Sequence, residues 1–314
     1  QNTTGIYNTA VGYNSLGVNT TGNYNVAVGG VALDANTTGA TNTAIGTSAL
    51  GANTTGNDNT ALGSDCLSGN TTASNNTAVG KYALRVNTTG GSNVAVGATS
   101  LDANTTGGTN TAIGAAAMSA NTTGSGNTSL GFNSLATNTT ASNNTAVGYS
   151  ALLLNATGTA NTAVGKDALE ANTGDNNTAV GLDAMASNTS GTQNTGIGVG
   201  ALTANTTGNY STALGYLAGG ANTSGTEHTF VGYLAGRYTT GSGIDYNTGI
   251  GSRALYANTT GEYNTSVGAY SLNQNTTAAN NTAVGYLALN ANTTGGTNVA
   301  IGTSTLAANT TASD

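Results

Sequence analysis

A glycine recurs every 17 residues, at 12, 29, 46, 63, 80, 97, 114, 131, 148 and 165. One residue is then lost, giving Gly181, followed by 198, 215 and 232; two are gained before Gly251, and the interval resumes at 268, 285 and 302. Each of these glycines closes a copy of Asn-Thr-Ala-Val-Gly or a close variant, so the chain is 18 versions of one unit. A unit this short cannot enclose a core of its own and must stack on its neighbours, which is how solenoids are built.

With the Asn of that run as position 1, position 2 is Thr or Val and position 4 is Val, Ile or Leu. Side chains alternate along a strand, so these two share a face and position 3 looks the other way. Position 3 is Ala, Gly or Ser except at Phe230, and never the Lys, Glu or Gln that a solvated face accepts. Both faces are therefore expected to be packed: Val and Leu rows inside the coil, and the small third residue as a contact between chains of a symmetric homo-oligomer. Position 5 suits a turn with positive φ. Position 8 is small, position 9 is Leu or Met except at Gly219 and Gly236, and Asn-Thr-Thr-Gly forms the second turn.

Short strands and glycine turns at a fixed period predict an all-β fold, a parallel β-solenoid or β-roll of about 18 coils of 17 residues. It reads as a single repeat array over 1–314 with irregular coils near 215–247. At about 4.8 Å per coil it would be a rod of roughly 85 Å. Burying a Val and a Leu stabilises one coil by roughly 1.5–3 kcal/mol each. Ordering its backbone costs about 1–2 kcal/mol per residue, so no coil stands alone.

The unusual composition narrows function. With 5 Lys or Arg against 12 Asp or Glu there is no electrostatic basis for binding nucleic acid. No apolar run is long enough for a membrane span, so no membrane insertion is expected. The absence of proline, and of glycine at every third residue, excludes collagen. A lone Cys66 allows no intrachain disulfide. The sequence starts and stops within a repeat, as a processed chain or a segment of a longer one does.

The run NTAVG…AL, with NVAVG at 93–97 and NVAIG at 298–302, resembles the repeats in head domains of trimeric autotransporter adhesins. It is also similar to repeats of phage tail-fibre-like proteins. The resemblance covers essentially the whole chain. It implies that three such chains form a homotrimeric fibre, a β-roll shaft extracellular on a cell or virion surface, with an attachment role and host surface glycans as partners.

Catalysis finds no constellation. His228, the only histidine, takes the place of a position-1 Asn; with its neighbour Glu227 and the distant Cys66 it forms no nucleophile–base–orienter set. Cys66 reads as an alanine equivalent at position 8. No calcium repeat or acidic metal cluster is present, so the chain reads as a non-enzyme without cofactors.

The Asn-Thr-Thr turn is also an N-glycosylation sequon. It marks Asn2, Asn19, Asn36, Asn53, Asn70, Asn87, Asn104, Asn121, Asn138, Asn155, Asn188, Asn205, Asn222, Asn258, Asn275, Asn292 and Asn309. An Asn ladder with a turn-bonded Thr would preserve the same letters. The alternative function is thus a glycosylated extracellular filament of single-chain solenoids stacked end to end. Ice binding is a third class, disfavoured because the adjacent threonines of the turn alternate faces and no Thr-x-Thr row exists.

Tyrosines gather at positions 6 and 17, on either side of the strand, and are dense around the irregular coils. Rings with polar tips stack on sugars or fill protein contacts. Tyr233, Tyr246, Tyr263, Arg237 and Arg253 are therefore the candidate surface-binding residues.

Overall fold

The computed structural model of the chain describes residues 2–241 and 245–313. Residues 242–244, inside the stretch expected to be irregular, lie outside the described residues. The fold is an all-β parallel β-solenoid with eighteen three-residue strands, the first Thr9–Val11 and the last Val299–Ile301, and no helix among the described residues. It divides into two compact units, Gln1–Thr159 and Ala160–Asp314. Within each unit, successive strands pair in parallel without a register slip. Thr77, Ala78 and Val79 oppose Val94, Ala95 and Val96 in the first unit. Thr265, Ser266 and Val267 oppose Thr282, Ala283 and Val284 in the second.

The local reasons are steric. Thr and Val branch at Cβ and favour extended backbone. The strand ends at position 5, where Gly46, for example, has φ 137°, and a Cβ there would collide with the Gly63 carbonyl of the next coil. Only glycine serves such a site. The turns stack as the strands do: Leu33 N–H donates to Ala49 O at 3.0 Å, and Thr20 N–H to Thr37 O at 2.9 Å. Position 9 is unusual, because a bulky Leu there sits in the left-handed region, at φ 51° in Leu33 and 52° in Leu50. That conformation costs roughly 1–2 kcal/mol per residue. Full burial of the leucine returns about 1.5–3 kcal/mol.

The interior corrects one expectation. Position 3 points into the coil: Ala27, Ala44 and Ala61 are 0% exposed, packed with the position-8 alanines and position-9 leucines such as Ala32 and Leu33. Positions 2 and 4 point outward and are half-buried or exposed, as in Thr60-Ala61-Leu62. The predicted inner Val row is therefore an outer one. The limit on size at position 3 comes from a narrow coil interior, not from a neighbouring chain. Alternation alone allows either assignment; the direction in which the glycine turn closes the coil selects one.

Candidate functional site

The sequon asparagines line the interior. All but Asn2 and Asn309, in the end coils, are buried. Asn36 Nδ2 donates to Asn19 Oδ1 at 2.8 Å, and Asn53 Nδ2 to Asn36 Oδ1 at 2.9 Å, so the side-chain amides run from coil to coil as a ladder. The same nitrogen also donates to the carbonyl at position 15 of its own coil, Asn36 to Gly39 at 2.9 Å. A second row, at position 1, reaches that carbonyl too: Asn25 Nδ2 lies 2.8 Å from Gly39 O. At this turn one inward carbonyl thus accepts two amides, so it and both asparagine nitrogens are partnered within the protein.

The first Thr of the turn donates to the following coil, as in Thr37 Oγ1 to Thr54 O at 3.0 Å, while the second is exposed. The ladder outlasts the sequon. Asn172 is followed by Thr-Gly, yet it accepts from Asn188 Nδ2 at 2.6 Å and donates to Gly174 O at 2.8 Å. A sugar on a buried nitrogen such as that of Asn36 would replace one of the two hydrogens the amide donates, and so break either its ladder bond or its turn bond.

The irregular coils repack the same cross-section. Phe230 occupies position 3, where every other copy is small, and is fully buried. Its ring fills the space that leucines vacate at Gly219 and Gly236: a Cβ on either glycine would clash with it. Those glycines keep the left-handed backbone, at φ 58° and 57°. Beside the ring, His228 stacks on Phe230 with centroids 4.9 Å apart. Thr239 stands in for a ladder asparagine, and Asp245 brings a carboxylate inside, its Oδ2 3.4 Å from His228 Nε2. His228 is 1% and Asp245 3% exposed. Among the described residues no hydrogen-bond partner meets either His228 nitrogen or the Thr239 hydroxyl. The coil longer by two residues thus supplies an acid to the chain's single histidine. Glu227 lies at position 17 and Cys66 in the other unit, buried, its thiol donating to Gly63 O at 3.0 Å and pushed up to about 12 by burial. Among the described residues no group of three or more His, Cys, Asp or Glu could hold a metal ion. No helix among the described residues is long and apolar enough to cross a membrane.

The five predicted surface residues separate into three places. Tyr233 stacks on Tyr216 at 5.6 Å, past the end of the strand. Tyr246 stacks on Tyr263 at 5.5 Å, before its start. Arg237 and Arg253 lie elsewhere on the turn after the strand. The Arg237 guanidinium sits 5.2 Å from the Tyr238 ring, and that of Arg253 lies 5.4 Å from Tyr256 and 5.8 Å from Tyr270. Tyr238 meets Tyr256 edge-on at 5.0 Å and 79°. A hydrogen bond with Tyr238, then burial, holds the Tyr256 hydroxyl above the usual phenol range, while Arg253 and Arg237 both pull it down.

The tyrosine preference for positions 6 and 17 does not reach Tyr238, Tyr256 and Tyr270, which stand at positions 11, 10 and 7. The self-alignment held the signal: Arg237 is followed one coil later at position 10 by Tyr256, and Arg253 at position 7 by Tyr270. Comparison of the chain with protein-family models, curated proteins and solved structures finds no match.

Proposed function

We propose that this chain is shaft material of an attachment fibre at an outer surface of a cell or virion, assembled as a homotrimer along its outward Thr-x-aliphatic face. The observation that carries the reading is the position-4 row. Ile45, Leu62, Ile113 and Leu130 in one unit, and Ile197, Leu214 and Ile250 in the other, are 37–46% exposed. Neither position 2 nor position 4 is charged in any copy. In each unit such an aliphatic strip asks for a partner. Its uniformity, and the absence of charges that would select a different surface, make another copy of the same strip the fitting one. The number three rests on the resemblance to autotransporter and tail-fibre repeats.

The mechanics follow from the coil. Interior amide ladders and in-register strands resist local opening because each coil is bonded to the next. The turns present Tyr and Arg side chains at the surface, where they meet glycans of a host surface. A native mass spectrum read beside the denatured mass tests this. Three chains per particle is expected, and one chain per particle at micromolar concentration would sink it. Replacing Leu62, Ile113 and Leu130 together by Glu is expected to give folded single chains, with the circular dichroism of the parent.

A further inference from the structure

We infer that the turn surface carrying Arg237, Arg253, Tyr238 and Tyr256 is a binding subsite for a carboxylate-bearing sugar of an acidic glycan. This deepens the attachment reading and rests on it. The chain has only 5 cationic side chains, and two of them meet here across adjacent coils. Arg237 lies 5.2 Å from the Tyr238 ring, Arg253 lies 5.4 Å from the Tyr256 ring, and the two rings meet edge-on at 5.0 Å, so guanidiniums and phenols gather on one patch. Neither arginine has a carboxylate partner among the described residues.

The other arginine shows the alternative. Arg85, at the same repeat position as Arg237, pairs with Asp102 of the next coil, Nε to Oδ1 3.0 Å and Nη2 to Oδ2 3.3 Å. Where Asp102 neutralises Arg85, Tyr256 follows Arg237. The surroundings keep the charge unbalanced. Positions 6–11 hold no Asp or Glu in any coil from 216 to 308, although Asp34, Asp65, Asp102, Asp167, Glu170 and Asp183 occupy them earlier. Of the acids nearby in sequence, Asp245 is buried against His228, and Glu227 and Glu262 stand at positions 17 and 16.

Guanidinium groups recognise carboxylates through paired charged hydrogen bonds, and tyrosine rings offer a flat apolar face with a polar tip for a pyranose. Gly220, without a side chain, leaves the surface along which Arg237 lies. None of these groups belongs to the position 2 and 4 face, so occupancy does not compete with assembly.

The test is calorimetric titration of the full chain with an oligogalacturonate, its methyl ester, a sialylated oligosaccharide and inorganic phosphate. Either acidic sugar is expected to bind, with the ester or the neutral, desialylated oligosaccharide weaker by about tenfold or more. R237Q/R253Q should weaken binding by about tenfold to a hundredfold, while R85Q binds as the parent does. Failure of both acidic sugars, equal binding of the neutral forms, phosphate matching the sugars, or binding that survives R237Q/R253Q would each overturn the subsite. Native mass on the same samples separates the two readings. A trimer that ignores acidic sugars loses only the subsite, and a single chain that binds them through the arginines loses only the assembly.

Discussion

The coils around Met118 and those around Phe230 fill the same cross-section by different means. In the first, a small position 3 such as Ala112, a small position 8 such as Ala117, and Met118 share the apolar space, and Asn104, Asn121 and Asn138 run through the polar side. In the second, one phenylalanine replaces two leucines, and a His–Asp pair replaces ladder amides. The difference teaches that the coil specifies a volume and a set of satisfied inward carbonyls rather than particular residues. It also shows that a departure at one position is matched by others a coil away.

The sharpest way to break that comparison is Phe230→Ala, which leaves two glycine-lined voids and is expected to cost about 3–5 kcal/mol in urea unfolding. Adding Gly219→Leu and Gly236→Leu should return most of it, because both glycines already hold the backbone angle of the ordinary position-9 leucine. If the triple variant is no more stable than the single one, the two packings are not interchangeable.

Transplanting the irregular polar choice into the regular array is next in size. Asn121→Thr puts there the residue found at 239. It removes the donor 2.8 Å from Asn104 Oδ1 and 3.0 Å from Gly124 O, and the acceptor of Asn138. A loss of about 1–3 kcal/mol is expected, since no counterpart of Asp245 enters that coil. An unchanged unfolding midpoint would mean the ladder contributes nothing net.

The smallest effect sharpens the apolar side. Cys66 occupies the position-8 place, and Cys66→Ala is expected to be close to neutral at pH 7. The two should diverge at high pH. Burial raises the folded thiol from 9.0 to about 12, so the contribution is complete below pH 9 and is lost as pH rises from there through about 12. The alanine variant lacks that loss, and the gap grows by at most about 1.4 kcal/mol per pH unit. Parallel stability curves for the two proteins between pH 9 and 11 would contradict a buried thiol.

Much of the architecture was legible because a repeat is its own alignment. The 17-residue period, the invariant glycine and the alternating run specify a stack of parallel short strands, and the double reading of Asn-Thr-Thr already included the ladder. The oddities at Gly219, Phe230, Gly236 and His228 were visible one by one, but not as a single rearrangement.

By itself the sequence determined period, strand, turn and the near absence of charge, since these depend on local backbone chemistry and counting. Only the tertiary structure decided which side of Thr-Ala-Val is the inside. Alternation is symmetric between faces, and the closure of the coil breaks the symmetry by leaving room for one methyl group. It likewise decided that the sequon nitrogens point inward, that Asp245 meets His228, and that Arg237 and Arg253 flank the Tyr238–Tyr256 pair. Each of these depends on distances across coils, which the order of residues along the chain does not contain.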